Sequence, residues 1–224
     1  MSGVAGNGFR RPQTAQEAVL AELRRAIARG EMAPGSAIPQ TAAAAQMGVS
    51  RVPVREALKI LEGEGHVHYE PHRGYTVTEL DANELLEIYR IRGLLERHAV
   101  ATAAPNLTSD DIATMNRLIG EMDVAAANED IGALSDANRR FHFLLYEASG
   151  QAHLVRLIRQ LWDASDPYRT VYFGSGSNRQ HLQNEHRAIV EAADARDTER
   201  LQGLLDVHRD HASLVIASAL GSSG

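Results

Sequence analysis

Apolar residues recur at helical spacing through the first third of the chain. Between Thr14 and Ala28 they fall at positions 18, 20, 23, 26 and 27, which predicts a first helix. A segment with Gly and Pro, residues 30–35, ends this helix, and a short alanine-rich helix is predicted over residues 40–46. A third helix is predicted to begin after Ser50. The pattern therefore indicates three helices that follow one another closely.

The third predicted helix has two chemically different faces. Its cations recur every four residues and its apolar residues form the opposite stripe; the cations are Arg51, Arg55 and Lys59, and the stripe is Val54, Ala57, Leu58 and Leu61. Gly48 suits the turn before the helix, and Ser50 is placed to cap its N-terminus. An arginine at the exposed N-terminal end of such a helix can pair with a guanine edge in a major groove. Taken alone, an ordinary amphipathic surface helix shows the same pattern.

Two β-prone runs follow the third helix. They span residues 66–70 and 75–77, and the Pro/Gly-containing turn 71–74 separates them, so a hairpin is predicted. Three helices followed by a hairpin make a winged helix-turn-helix, which is a DNA-binding architecture. Arg73 lies at the tip of the predicted wing, where it is placed to reach a phosphate or the minor groove.

The rest of the chain predicts helices only. Asp81 is placed to cap a long helix that stops before Pro105. Six helices are predicted, at about residues 82–104, 109–127, 131–149, 152–169, 178–195 and 198–219. Short connections and the lack of a convincing strand favour an all-α bundle. The predicted division is a flexible N-terminus at 1–13, a winged helix-turn-helix at 14–78, a connector at 79–81, an all-α domain at 82–218 and a tail at 219–224.

Charge differs between the two predicted domains. The whole chain holds 23 basic and 29 acidic residues, a formal net charge of −6. Residues 1–78 hold 9 basic and 7 acidic side chains, a balance of +2, whereas the remainder holds 14 and 22. A weakly basic DNA-binding domain joined to an acidic domain fits a protein that binds DNA with one end only. Its nonspecific affinity is expected to be modest and sensitive to salt.

The composition also excludes several kinds of site. The chain has no cysteine, so neither disulfides nor thiolate metal sites can form. No apolar run approaches the roughly 20 residues of a membrane helix, and the N-terminus lacks the core of a signal peptide. We therefore expect a cytoplasmic protein that does not associate with membranes.

The candidate chemistry of the second domain lies in its histidines. Asn138 and His142 are four residues apart on one predicted helix, and His186 and His208 lie on two others. Three imidazoles and one oxygen donor suit Zn²⁺, Ni²⁺ or a similar divalent ion. Spacing alone leaves a second interpretation open, because a histidine near an apolar face is more often a hydrogen-bonded core residue.

A metal-dependent enzyme has to be weighed, since hydrolases and oxygenases also use three-histidine sites. The sequence contains no Glu-x-x-His pair, no His-Glu-x-x-His, no Gly-x-Ser-x-Gly and no phosphate-cradling glycine loop. An enzyme would also leave the winged helix unexplained. We therefore predict no enzymatic activity, while a regulator that senses the metal ion itself remains an alternative.

The N-terminal motifs resemble those of the GntR family of bacterial transcription regulators. The resemblance rests on the run from Met47 to Leu58 and on single residues at fixed spacings around it: Gly30, Pro34, Gly35, Ile38, Ala44, Leu61, Glu62, Gly65, Arg73, Gly74 and Val77. It implies a homodimer that places two recognition helices on a palindromic operator. It further implies that the recognition helix contacts DNA and that the wing tip lies against the groove. The implied DNA-contacting residues are Ser50, Arg51, Val52, Arg55, Lys59, His72, Arg73 and Gly74.

The second domain resembles the FCD-type ligand domain of GntR regulators over residues 82–218, and its six predicted helices resemble the VanR-like subgroup. The matching positions are Arg92, Leu95, Glu96, Asn138, Arg139, Arg140, Phe141, His142, Leu145, Gly150, Glu185, His186, Ile189, Ala192, Asp197 and His208. The resemblance implies effector binding and dimerisation by this domain. It also implies a divalent metal, Zn²⁺ or Ni²⁺, held by Asn138, His142, His186 and His208, and a small organic acid that completes the coordination. Asn138 departs from the aspartate that is frequent at its position, and a neutral amide is a poorer donor.

Two arginines are candidates for binding the carboxylate of the effector. Arg92 offers a planar fork for a carboxylate, although a bundle salt bridge with Glu96 at i+4 is an equally good interpretation. Arg169 is a lesser candidate that we expect at the surface. Three further histidines are expected to face solvent: His153, His181 and His211, the last of which is near enough to His208 to border the site.

The predicted function is a ligand-responsive transcription regulator, by default a repressor. Effector binding is expected to draw the bundle helices together and to reorient the DNA reader through the connector. An effector can shift the DNA-competent population only by its differential affinity for the two arrangements.

Overall fold

The computed structural model describes residues 14–28 and 31–221, so the predicted flexible N-terminus at 1–13 and the family residue Gly30 lie outside the described residues. The N-terminal domain contains three helices and three strands: α1 (Ala15–Ala28), β1 (Ala37–Ile38), α2 (Gln40–Gln46), α3 (Arg51–Gly63), β2 (Val67–Glu70) and β3 (Gly74–Val77). The strands form an antiparallel sheet in the order β1-β3-β2. The predicted winged helix-turn-helix is confirmed. Strand β1 was not predicted, because a strand of two residues is too short to show a pattern in the sequence.

Helix α3 is held by the stripe that its sequence predicts. Val54, Ala57, Leu58 and Leu61 are completely buried, whereas the cationic face is exposed. Gly48 has a φ of +65°, a left-handed conformation that glycine adopts without steric cost, in the turn between α2 and α3. Ser50 occupies the N-cap position, but its side chain makes no capping hydrogen bond. The predicted helix boundary is therefore confirmed, and the expected capping bond is wrong.

The second domain is an all-α bundle, as predicted, with a separate apolar core. Its helices are α4 (Ala82–Ala103), α5 (Ser109–Ala127), α6 (Ile131–Glu147), α7 (Ala152–Ala164), α8 (Asp166–Phe173), α9 (Gly176–Asp194) and α10 (Thr198–Gly221). Carboxylates cap α4, α6 and α10. Asp81 accepts from the amides of Asn83 and Glu84, Asp130 accepts from that of Ala133, and Asp197 accepts from that of Arg200. Helix α10 continues through Gly221, so the first part of the predicted tail is helical.

The predicted helix 152–169 is wrong, because the chain breaks at Ser165 and continues as α8. Pro167 explains the break: proline has no amide hydrogen and disrupts a helix interior, but it is tolerated in the first turn, where it lies in α8. The described part of this domain therefore has seven α-helices instead of six. The VanR-like subgroup, which was inferred from the helix count, loses that support.

The DNA-reading domain rests against the bundle through α1, which packs on α6 and α8. Helix α8 also holds the connector, because the Tyr168 hydroxyl donates a hydrogen bond to Glu84 at 2.6 Å and accepts one from the amide of Asp81 at 3.4 Å. His66, at the start of the wing, is buried against α8, with its Nε2 3.6 Å from a carboxylate oxygen of Asp166. None of the helices in the described residues is long and apolar enough to cross a membrane.

Candidate functional site

The exposed face of α3 presents the predicted DNA-contacting side chains. Arg51, Arg55 and Lys59 are exposed, and so is Val52, an apolar side chain of which 58% is accessible. Glu56 lies between the last two cations, 3.4 Å from both Arg55 Nε and Lys59 Nζ. An exposed ion pair of this kind is worth little, so these cations remain available to a more highly charged partner.

The wing carries the remaining predicted DNA contacts at its tip. His72 is exposed and has a φ of +70°, and Gly74 has a φ of +83°, which allows the chain to reverse between β2 and β3. Arg73 is exposed, and its guanidinium lies 2.8 Å from a carboxylate oxygen of Glu70. The wing is joined to α3 by the hydroxyl of Tyr75, which donates to Glu62 at 3.5 Å. The two predicted DNA-contacting elements thus belong to one packed unit.

The three histidines singled out in the sequence come together in the bundle. His142 on α6, His186 on α9 and His208 on α10 are all buried and form a cluster, here called the buried histidine triad, whose donor nitrogens lie within 4.8 Å of one another. The Nε2 atoms of His142 and His186 are 3.3 Å apart. Two nitrogens bound to one tetrahedral Zn²⁺ are separated by about 3.4 Å, so this spacing suits a shared metal.

The protonation state of the triad also suits a metal. Burial, helped by the positive charges of neighbouring imidazoles and arginines, holds the pKa of His142 well below its usual value, and burial does the same for the pKa of His186. Both imidazoles are therefore neutral at pH 7, which is the form that binds metal. Asn138, also buried, lines the same cavity as His142 and His208, and its carbonyl oxygen has no hydrogen-bond partner among the described residues. An unpaired buried oxygen that lines the same cavity as two of these imidazoles is chemically matched to a divalent cation.

Glu185 orients one member of the triad. Nδ1 of His208 lies 2.7 Å from Oε2 of Glu185, so the N–H at Nδ1 donates a hydrogen bond to the carboxylate. In the neutral tautomer with this N–H, Nε2 is the nitrogen that can bind a metal. A carboxylate behind a ligating histidine fixes its tautomer and raises its basicity.

Both candidate effector-binding arginines line the cavity of the triad. Arg92 is buried, forms the 2.8 Å ion pair with Glu96 that was one of its two interpretations, and donates to the hydroxyl of Ser165 at 3.0 Å. Arg169 is buried as well, so the expected surface position is wrong. Its guanidinium donates to the same Ser165 hydroxyl at 2.7 Å and to Asp166 at 2.6 Å. The reason is that the break at Ser165 turns α8 toward the bundle core.

The two guanidinium groups share one aromatic platform. The central carbon of Arg92 lies 4.2 Å from the ring centroid of Trp162, and that of Arg169 lies 4.3 Å from it. Attraction between a cation and an aromatic face helps to hold both groups away from solvent. Burial lowers the pKa of Arg92, but Glu96, Tyr89 and Tyr146 together raise it by more, so the net shift is upward and this side chain keeps its charge.

The cavity has an excess of positive charge. Its charged lining side chains are Arg92, Arg169, Arg209 and Glu96, which leaves a balance of +2 before any metal is bound. Its volume is about 30 Å³, enough for an ion and a water molecule, so an organic acid requires some of the lining side chains to move. The arginines that line the cavity suit an anion, although Arg169 and Arg209 already pair with Asp166 and Asp206 outside the lining.

The other predicted histidine positions divide between surface and border. His153 and His181 are exposed, as expected, and His211 is partly exposed and borders the site through the 3.6 Å approach of its Nδ1 to Glu185. Sequence reasoning missed Glu185, Trp162, Ser165 and Arg209. Glu185 had a signal, because it immediately precedes a candidate ligand, but the others come from packing between helices that the pattern does not reveal.

Known proteins match both domains. Residues 15–77 match the family described as bacterial regulatory proteins, gntR family, and residues 87–211 match the FCD domain. The chain is 33% identical to the HTH-type transcriptional regulator McbR of Escherichia coli over 80% of this chain and 81% of that protein. It is 30% identical to the gluconate operon transcriptional repressor of Bacillus subtilis over 65% and 58% of the two chains. The solved structure of E. coli McbR/YncC has a TM-score of 0.64 and 27% identity, and the match covers 92% of this chain and 99% of that one.

Proposed function

Because the chain belongs to the GntR family of bacterial transcription regulators and carries an FCD domain, we propose that it is a repressor controlled by a small organic acid. The acid is sensed at a metal site built from the buried histidine triad. Regulation of transcription by DNA binding, and not catalysis, is the activity of this family and its relatives. The acid, the metal and the direction of the response are the proposed parts.

One observation carries the proposal: a single cavity is lined both by candidate metal donors and by two arginines that share the ring of Trp162. Asn138 and the triad would hold the metal, which would supply positive charge and open coordination positions for a carboxylate. Arg92 and Arg169 would bind the carboxylate through charge-assisted hydrogen bonds. The acid brings the negative charge that the cavity lacks. A repressor of a gluconate operon among the relatives supports both a carboxylic acid and the repressing sense.

DNA recognition in this proposal requires a homodimer. The DNA-reading domain has a charge balance of only +2 over residues 1–78, so one copy gains little electrostatic affinity. Two copies on a palindromic operator double the contacts made by the α3 face and the wing.

A direct contact between the domains offers a route for the response. Arg169 lines the cavity, its guanidinium holds Asp166, and Asp166 faces His66 at the base of the wing. Burial opposes the charge of Asp166, but Arg169 and His66 hold the pKa of this carboxyl far below its usual value, so it stays ionised. An acid that draws Arg169 into the cavity weakens its hold on Asp166. The DNA-reading domain can then move relative to the bundle, in addition to any movement through the connector 79–81.

The test compares metal-loaded and chelated protein against acetate, lactate, succinate, citrate and gluconate, with thermal stability as the readout. At least one acid should stabilise the Zn²⁺- or Ni²⁺-loaded protein and leave the chelated protein unchanged. His186→Ala should abolish this response and keep DNA binding, whereas His153→Ala, which removes an exposed histidine, should behave as the wild type. Equal responses of the loaded and chelated protein to every acid would contradict the proposal.

A second candidate function is sensing of the metal ion itself. The small cavity favours it, because about 30 Å³ accepts an ion and a water molecule without rearrangement. In that case the affinity for DNA would respond to the metal alone, and added acids would change nothing.

A further inference from the structure

A second group of metal-binding side chains lies next to the triad, on the side that opens to solvent. His181 and Glu185 are four residues apart on α9, and His211 reaches them from α10. One donor atom from each lies within 4.8 Å of the other two, and this is the only such group besides the triad among the described residues. These three residues are called the outer cluster.

The geometry of the outer cluster centres on one carboxylate oxygen. Oε1 of Glu185 is 3.0 Å from Nε2 of His181 and 3.6 Å from Nδ1 of His211. The two imidazole centroids are only 4.2 Å apart. Oε1 is buried and accepts no hydrogen bond of acceptable geometry in the described part of the chain. A buried carboxylate oxygen without a hydrogen bond is costly, and a cation between it and the two imidazoles would remove that cost.

The histidines of the cluster are accessible to an ion from solvent. The side chain of His181 is 52% exposed and that of His211 is 32% exposed. The side chain of Glu185 is only 14% exposed and forms the inner end of the cluster. His211 directs its Nδ1 toward the Glu185 carboxylate from α10. Its Nδ1 also lies 3.3 Å from the hydroxyl of Tyr172, and binding through that nitrogen would replace this contact.

We propose that His181, Glu185 and His211 form a second divalent-cation site. Two imidazoles and one carboxylate are a donor set that Zn²⁺ accepts, with a remaining position for water. The site is distinct from the triad, because Glu185 uses its other oxygen, Oε2, to hold His208. One carboxylate thus faces two sites, and an ion in the outer cluster acts on the carboxylate that orients a triad ligand.

The proposal is tested by metal stoichiometry of the full chain. Protein stripped with a chelator is dialysed, loaded with Zn²⁺, desalted and analysed by mass spectrometry of the metal. The wild type should retain two equivalents per chain, His181→Ala/His211→Ala should retain one, and His142→Ala/His186→Ala should retain the other. Exposed His153, replaced by Ala, is the matched control and should leave two.

Two outcomes would overturn the proposal. The first is that the wild type holds no more metal than the His181→Ala/His211→Ala variant, whatever the total. Calorimetric titration of the unmodified chain with Zn²⁺ gives a check that needs no variant, since binding of a single equivalent is incompatible with two sites. Co²⁺ loading adds a spectroscopic check: the wild-type visible absorption should be the sum of the bands of the two double variants. Neither outcome depends on an organic acid, so failure of the outer cluster and failure of the proposed function are distinguishable.

Discussion

Asn138 is the residue at which the chemistry of this chain departs from the pattern it resembles. Asn138 lines the cavity, and its buried carbonyl oxygen has no hydrogen-bond partner in the described part of the chain, yet it brings no charge to balance a divalent ion. Glu96 is the acidic side chain among the described residues that line the cavity, and Arg169 and Arg209 pair in addition with Asp166 and Asp206 outside the lining. This makes Asn138 a point at which metal affinity and acid affinity oppose one another.

Replacing Asn138 with aspartate should strengthen metal binding and weaken acid binding. The added carboxylate is a better donor for a divalent ion, and it neutralises charge that the acid would otherwise meet. Calorimetric titration with Zn²⁺, and then of the loaded protein with the acid found in the screen, measures both effects. Unchanged affinities for both would show that residue 138 lies outside the metal site.

Arg55→Ala should weaken binding to specific DNA by about 1–3 kcal/mol if its guanidinium pairs with a base. Fluorescence anisotropy at fixed salt, with DNA selected from a random pool, measures the change. Arg117→Ala is the matched control, because Arg117 is an exposed, ion-paired arginine on the bundle helix α5. Wild-type affinity for the Arg55 variant would remove this residue from base recognition.

The buried histidines make the metal-free protein sensitive to mild acid. Their pKa values are lowered in the folded state, so the unfolded chain binds protons that the folded chain does not. Stability is thus present above the ordinary histidine pKa of about 6.5 and is lost as the pH falls below it. Each such group contributes up to about 1.4 kcal/mol per pH unit to the loss.

Urea unfolding of the chelated protein at pH 7.5 and pH 5.5 measures this loss. The free energy of unfolding should fall with pH less steeply for His186→Gln than for the wild type, and His153→Ala should match the wild type. A pH-independent free energy of unfolding over this interval would contradict the burial of neutral imidazoles.

At the scale of single residues, the sequence identified much of the site but not its support. His142, His186, His208 and Asn138 were found from spacing and resemblance, and Arg92 was found with both of its interpretations, of which the ion pair with Glu96 is observed. Arg169 was predicted to lie at the surface because it falls at the end of the helix predicted at residues 152–169. Its burial depends on the direction of α8, which a local pattern does not contain.

The break between α7 and α8 is the element that shapes the cavity. Ser165 lies at this break with no exposed surface. Its hydroxyl accepts a hydrogen bond from Arg92 and another from Arg169, and it donates one to the carbonyl of Trp162. Trp162, Ser165 and Arg169 would share one face of a continuous helix as well, but the break sets the direction that the chain takes after Ser165. The interruption is therefore part of the site.

Ser165→Ala should destabilise the protein and weaken its response to the acid. Two buried guanidinium groups would each lose an acceptor, a loss of about 1–3 kcal/mol in the free energy of unfolding. Ser149 is a matched control, since it is buried at the end of α6 and bonds to backbone groups only. Ser149→Ala should lose stability but keep the acid response, and an equal response of both variants would assign Ser165 a purely structural role.

At the scale of elements, most helices were predictable and the exceptions have physical causes. The stripe of α3 and the carboxylate caps at Asp81 and Asp130 marked their helices correctly. Pro167 was passed over because apolar periodicity continues across it, although its missing amide hydrogen ends the helix there. Strand β1 is two residues long and exists through its pairing with β3, which is a long-range contact.

At the scale of the whole molecule, the two domains are joined by more than their connector. The sequence indicated a short link at residues 79–81, which predicts coupling without showing its route. The contact of the buried His66 with Asp166 is a second link between the bundle and the DNA-reading domain, at the base of the wing. Asp166 and Arg169 both belong to α8, so a change at the cavity has a short physical path to the DNA-reading domain.

The central claim is that the metal and acid site controls DNA binding, and one titration tests it most directly. Labelled DNA selected by the protein is titrated with wild type and His186→Ala, each loaded with Zn²⁺ or chelated, with and without the acid identified by thermal shift. The account predicts that the acid lowers the DNA affinity of the loaded wild type only, while the variant binds DNA normally throughout. An equal effect of the acid on the chelated wild type or on His186→Ala would contradict it.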